Sequence, residues 1–126
     1  MKQNIKKRQK VICFDLDNVI CKTLNNNYPQ SKPIRKNIFI INKIYAQGYY
    51  VKIFTARFMG RSKENARLAT KRGYEFTEKQ LKKWKVRYNQ LIFGKPSYDL
   101  FIDDKNYNFD KNWAKTILQN LKSPNK

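Results

Sequence analysis

Two pairs of carboxylates stand out in a chain that holds only nine acidic residues. Asp15 and Asp17 follow the apolar run 11–14, and Asp103 and Asp104 follow Leu100-Phe101-Ile102. Carboxylates this close repel, so either one carries a proton or a cation lies between them. The chain has no histidine and no cysteine pair near these aspartates, which leaves oxygen ligands. Oxygen ligands select a hard ion, and a site that shares its ion with a phosphate favours Mg2+. Thr55 and Lys95 also stand at the ends of short apolar runs. A hydroxyl can donate to phosphoryl oxygens and an ammonium can offset their charge. Phosphoryl transfer needs mainly such positioning and charge stabilisation. Asp15 could act as nucleophile and form an aspartyl-phosphate. Asp17 could protonate the leaving oxygen and then activate water. Asp and Asn also end strands as plain turn residues, a reading that two matched pairs weaken.

For these groups to meet, the strands that carry them must end on one edge. The run 11–14 is short, apolar and rich in β-branched residues, which predicts a strand at 10–15 buried on both faces. A polar loop is expected at 22–32, with three successive asparagines and Pro29. Pro33 then opens a helix over 33–47, with Ile34, Ile38, Ile41, Ile44 and Tyr45 on one stripe and Gly48 past its end. Strand 50–55 follows. The segment 62–72 reads as a helix stopped by Gly73, and 77–85 as a second short helix with Thr77 as its N-cap. Further strands are predicted at 91–93 and 99–102, and a last amphipathic helix lies within 110–121, through Trp113, Ile117, Leu118 and Leu121. Strands alternating with helices give a doubly wound, Rossmann-like α/β fold with a mainly parallel sheet. In such a sheet, residues far apart in sequence converge at the C-terminal strand ends.

The composition sets bounds on this reading. At 126 residues the chain is read as one domain, with a basic N-terminal arm at 1–9 and a tail at 122–126. No apolar run approaches the roughly 20 residues of a membrane span, and the arm lacks the apolar core of a signal peptide. A cytoplasmic protein without membrane attachment is expected. Cys13 is expected to be a buried strand residue, and no disulfide framework is suggested. The absence of histidine excludes His-based triads and His metal sites. The net charge of +19 favours anionic partners, although much of it reads as solvated surface.

With these residues in view, the chain resembles the haloacid dehalogenase superfamily. Asp15-Leu16-Asp17-Asn18-Val19, Thr55, Lys95 and Asp103-Asp104 stand in the order of its four signature motifs, across 10–105. The stretches Phe-Thr-Ala-Arg and Ile-Phe-Gly-Lys-Pro-Ser-Tyr-Asp-Leu-Phe-Ile-Asp-Asp-Lys are similar to small phosphatases found with capsule and surface-polysaccharide biosynthesis. The resemblance implies a three-layer fold with Asp15 as nucleophile and Asp17 as general acid and base. It implies Mg2+ held by Asp15, the Asp17 main-chain carbonyl and a carboxylate of Asp103 or Asp104. It implies phosphate contacts from Thr55 and Lys95, with Asn18 and Ala56 grouped beside them. Arg57 is a further anion contact or a surface arginine; Arg61 is a weaker candidate. The motif departs from the usual Asp-Gly-Thr at Asn18-Val19. Asn18 tolerates the positive φ a glycine would take; Val19 has no hydroxyl to donate. The loop 22–32 is too short for a cap domain and the segment 58–88 could supply only two small helices, which implies a capless or minimally capped enzyme with an open site. An open site can borrow a wall from a second copy, so a homo-oligomer fits.

The substrate implied is a phosphorylated small metabolite, a sugar phosphate of polysaccharide assembly. A second reading is a polynucleotide end phosphatase or nucleic-acid-binding module, in which Lys82, Lys83, Lys85 and Arg87 interleave with Trp84 and Tyr88 for base stacking. Its bland counterpart is a solvated helix face with Trp84 in the core. A third reading, an inactive relative acting as a partner, rests on Asn18-Val19 alone.

Overall fold

The computed structural model describes residues 9–121. Most of the expected basic arm and all of the tail at 122–126 lie outside the described residues.

Three strands form a parallel sheet: β1 (Val11–Asp15), β4 (Tyr50–Thr55) and β5 (Gln90–Phe93), in the order β1-β4-β5. Asp15 lies opposite Phe54, and Thr55 opposite Phe93. The parallel register therefore places the ends of all three strands on one edge. Between β1 and β4 the chain first makes a short antiparallel pair, β2 (Cys21–Lys22) with β3 (Lys32–Pro33), joined through a 3-10 turn at Tyr28–Gln30. Helix α1 (Arg35–Ala46) then packs on β4 and on α3 (Trp113–Asn120). Helix α2 (Ala66–Lys83) packs on β5. The result is a Rossmann-like α/β fold, as the alternation of strand and helix signals implies. No helix among the described residues is long and apolar enough to cross a membrane.

β4 is the buried centre of the sheet, with Val51, Ile53 and Thr55 out of solvent. β1, expected to be buried on both faces, is instead an edge strand. Val11 and Cys13 are exposed, and only Phe14 is fully buried, against the Trp113 ring at 5.9 Å. The segment after Lys95 also differs from expectation. The strand expected at 99–102 does not form, and Leu100, Phe101 and Ile102 are 77%, 43% and 88% exposed. Among the described residues, neither the outer edge of β1 nor this apolar segment has a β partner.

The second difference is α2. One helix of 18 residues replaces the two short ones expected on either side of Gly73. Asn65 caps it, its side chain accepting the Leu68 N–H at 3.0 Å. Gly73 is not a stop signal; it is a point of close approach. A Cβ there would run into the Phe58 ring and lie 2.9 Å from Phe93 Cε2. Ala69, Gly73, Thr77 and Leu81 form the buried stripe at a spacing of four, so Thr77 lies inside the helix and is no N-cap. Elsewhere in a helix, Gly→Ala is favourable by about 1 kcal/mol. Here Gly73→Ala should reverse that sign and destabilise by about 1–3 kcal/mol in denaturant melts. Phe58→Leu should relieve part of the loss.

Candidate active site

The shared strand edge brings four of the expected residues together. Asp15 ends β1, and its Oδ1 accepts the Leu16 N–H at 2.8 Å. Its Oδ2 faces the Lys95 ammonium at 3.4 Å. Lys95 arrives from β5 through Gly94, whose φ of +100° is a conformation open to glycine and whose missing Cβ would sit 2.9 Å from Ala66 Cβ. The Lys95 N–H donates to the Thr55 carbonyl at 3.2 Å, which ties the β5 exit to the β4 end. Thr55 is wholly buried, and its hydroxyl oxygen accepts the Arg57 N–H at 3.0 Å. The Asp15 side chain remains 37% exposed, so a small anion can reach it.

Burial pushes the Asp15 carboxyl above its ordinary range, and this outweighs the pull of Lys95 in the other direction. For Lys95, burial acts downward, but the Tyr98 hydroxyl and Asp15 more than offset it and the ammonium sits above its usual value. The rings of Tyr98 and Phe101 lie 5.1 and 5.5 Å from the Lys95 nitrogen.

Asp17 is held differently. Arg57 donates to both of its oxygens through Nε, at 3.1 and 3.0 Å, and again to Oδ1 through a terminal nitrogen at 2.9 Å. The Thr23 hydroxyl donates to the same Oδ1 at 2.6 Å. Arg57 is 1% exposed, so it is neither the surface arginine nor the free anion contact expected from sequence. Phe58 follows it with φ of 66°, rare for a bulky side chain, and packs its ring on Tyr28 at 5.1 Å. Arg61 donates to the Asn26 carbonyl at 2.6 Å and stacks over Tyr28 and Phe58. Asn18 takes the positive φ expected of it, 69°, and its side chain accepts the Thr23 N–H at 3.4 Å. Ala56 is partly buried, and its carbonyl accepts the Met59 N–H at 3.0 Å.

Asp103 and Asp104 do not join this group. Both are exposed, and Asp103 accepts the Lys105 N–H at 3.1 Å. That backbone hydrogen bond, with one from the Asp104 side chain, holds the Asp103 carboxyl below its usual range. Among the described residues, no group of three or more His, Cys, Asp or Glu side chains is placed to hold a metal ion. In this arrangement Lys95 and Arg57 serve as the cations for Asp15 and Asp17. Trp84 is buried in the core at 5% exposure, which removes it as a stacking platform. Tyr88 is half-buried, and its hydroxyl is pushed up to about 12 by burial. Arg87 stacks over Tyr45 at 4.5 Å.

Sequence reasoning missed Thr23, Ser31, Thr77 and Gln80, the polar groups around Arg57. The one signal was Thr77 on the small-residue stripe of α2, a polar residue where the helix faces the core.

No protein-family model matches the chain, and no curated protein matches it. A crystallised target protein from Vibrio cholerae resembles it with a TM-score of 0.73 at 20% identity, over 88% of this chain and 98% of that one. A chain of an RNA repair complex of Pnkp1, Rnl and Hen1 gives a TM-score of 0.49 at 19% identity, over 99% of this chain and 36% of that one. The likeness to the Vibrio protein is one of fold.

The raised Asp15 carboxyl has a consequence for stability. Folding favours its protonated form, so its contribution is present below the unfolded value and lost as pH rises through the folded one. At neutral pH a neutral isostere should therefore be tolerated. Asp15→Asn should melt no lower than the wild type at pH 7, and its advantage should vanish in acid, as followed by circular dichroism.

Proposed function

We propose that this protein is a Mg2+-dependent phosphatase that hydrolyses a phosphomonoester, of a phosphorylated sugar or similar metabolite, through a phospho-enzyme on Asp15. One observation carries this reading: an accessible carboxylate and an ammonium 3.4 Å apart at the common end of parallel strands. An anionic phosphoryl group needs a cation to approach a carboxylate, and Lys95 lies where it can supply one. Asp15 attacks phosphorus, forming an Asp15 O–P bond as the ester P–O bond breaks. Asp17, protonated in the proposed substrate-bound state, gives that proton to the leaving oxygen, and the alcohol departs. Water then attacks the phospho-aspartate, Asp17 takes its proton, and the Asp15 O–P bond breaks to release inorganic phosphate.

The carboxylates as they stand do not make a metal site, so the proposal includes a docked state. In it, Leu100-Phe101-Ile102 pairs with the free edge of β1 and carries Asp103 and Asp104 towards Asp15. Three observations support it: the exposed apolar segment, the unpaired β1 edge, and Phe101 already beside Lys95. Asp15 with Asp103 or Asp104 would then hold Mg2+, which offsets the phosphate charge.

The wild type should release phosphate from sugar phosphates only with Mg2+, and Asp15→Asn should lower the rate by about 10³-fold or more. Amides 100–102 should gain protection from hydrogen exchange when Mg2+ and orthovanadate are added. No release from sugar phosphates, nucleotides or phosphorylated oligonucleotides, with or without Mg2+, would sink the reading. Preference for oligonucleotide ends would replace the sugar phosphate with a nucleic-acid substrate.

A further inference from the structure

Arg57 is enclosed on every side. Its side chain has no exposed surface, and each of its three nitrogens donates to the protein. Nε and one terminal nitrogen hold Asp17. That terminal nitrogen also faces Ser31 Oγ at 3.4 Å and Cys21 Sγ at 3.6 Å. The other terminal nitrogen is held from α2, by Gln80 Oε1 at 2.7 Å and Thr77 Oγ1 at 3.3 Å. The Tyr28 ring lies 4.7 Å from the guanidinium carbon, and Gln80 in turn donates to the Tyr28 carbonyl at 2.9 Å.

We infer that Arg57 is a positioning residue for Asp17, and that α2 sets its aim through Thr77 and Gln80. What Asp17 does once positioned rests on the phosphatase reading; the network that positions it does not. A guanidinium that bound substrate would present an N–H to solvent, and this one presents none. Its planar fork instead divides its donors, one edge to the carboxylate and one nitrogen to α2. Thr23 closes the same Oδ1 from the other side, and its hydroxyl lies 2.6 Å from Ser31 Oγ. Asp17 is thus fixed relative to the sheet edge by groups from β4, α2 and the β2–β3 segment. Misplacing a reacting group by about 1 Å can cost about 10²-fold in rate.

The test removes the two α2 acceptors and leaves Arg57 in place. The double variant Thr77→Val/Gln80→Met should lower kcat on p-nitrophenyl phosphate by about 10²-fold. KM and inhibition by inorganic phosphate should stay within about two-fold of the wild type, as expected when no substrate contact is lost. Thr77→Ser/Gln80→Glu, which keeps both acceptors, should restore kcat. An unchanged kcat, or a KM and phosphate inhibition constant that weaken in step with it, would overturn the inference. Should the wild type cleave no phosphomonoester, the phosphatase reading fails and NMR decides this one. The Arg57 Nε–H signal should exchange slowly in the wild type and rapidly in the Val/Met variant; equal exchange in both would refute it.

Discussion

The ion pair between Arg57 and Asp17 is the constraint that the surroundings of the strand edge answer to. A guanidinium out of water loses its hydration, and the desolvation is worth several kcal/mol unless every donor finds an acceptor. The chain supplies those acceptors from three places: the turn after β1, the β2–β3 segment and the middle of α2. None is close to Arg57 in sequence. Removing one partner of such a pair typically costs roughly 3–5 kcal/mol. The continuity of α2 through Gly73 follows from the same demand. The helix must run close to Phe58 and Phe93 for Thr77 and Gln80 to reach the guanidinium, and only a residue without a Cβ fits at that approach.

Asp15 and Lys95 depend on a second constraint, the parallel register. Because β1, β4 and β5 run the same way, their ends meet, and a short ladder suffices to bring residues 15, 55 and 95 together. Asp15 and Asp17 then divide their surroundings. Asp15 stays partly open beside a lysine, whereas Asp17 is gripped from within. Two carboxylates two residues apart are kept from repelling each other by separate cations. In a chain of net charge +19, those two cations differ from the other lysines and arginines among the described residues in being buried.

Much of this was legible in the sequence, and the pattern of success has a physical cause. β1, β4, β5, α1 and α3 announce themselves because each buries a run or stripe with its own period. The gathering of Asp15, Thr55 and Lys95 followed from strand ends alone. Asn18 was readable because the demand for positive φ is local. What was not legible depends on partners distant in sequence. Gly73 looks like a helix stop until Phe58 is known to press on it. Arg57 reads as either an anion contact or a surface arginine until Thr77 and Gln80 are known to face it. Cys13 was expected inside because the apolar run 11–14 read as a strand buried on both faces, whereas β1 is an edge strand that leaves Val11 and Cys13 exposed. Trp84 resolved to core, the plainer of its two readings.

The position of residues 100–102 is where local and global preferences conflict. Leu100 and Ile102 are almost fully exposed, and burying each would stabilise by roughly 1.5–3 kcal/mol. Fixing the backbone of each residue in a strand costs roughly 1–2 kcal/mol, so the apolar gain and the ordering cost are of similar size. Charge then decides. Docking this segment on β1 would carry Asp103 and Asp104 towards Asp15, and like charges brought together oppose it. Undocked, Asp103 already has the Lys105 N–H for its carboxylate. A cation between the carboxylates changes the sign of that term. A ligand can shift an equilibrium only by its differential affinity for the two states, and on the proposed reading that difference would come from the several carboxylates that the docked state alone presents to one ion. On the proposed reading, the exposed apolar segment and the edge of β1 would be parts of one device, in which the ion that assembles the site also completes the sheet.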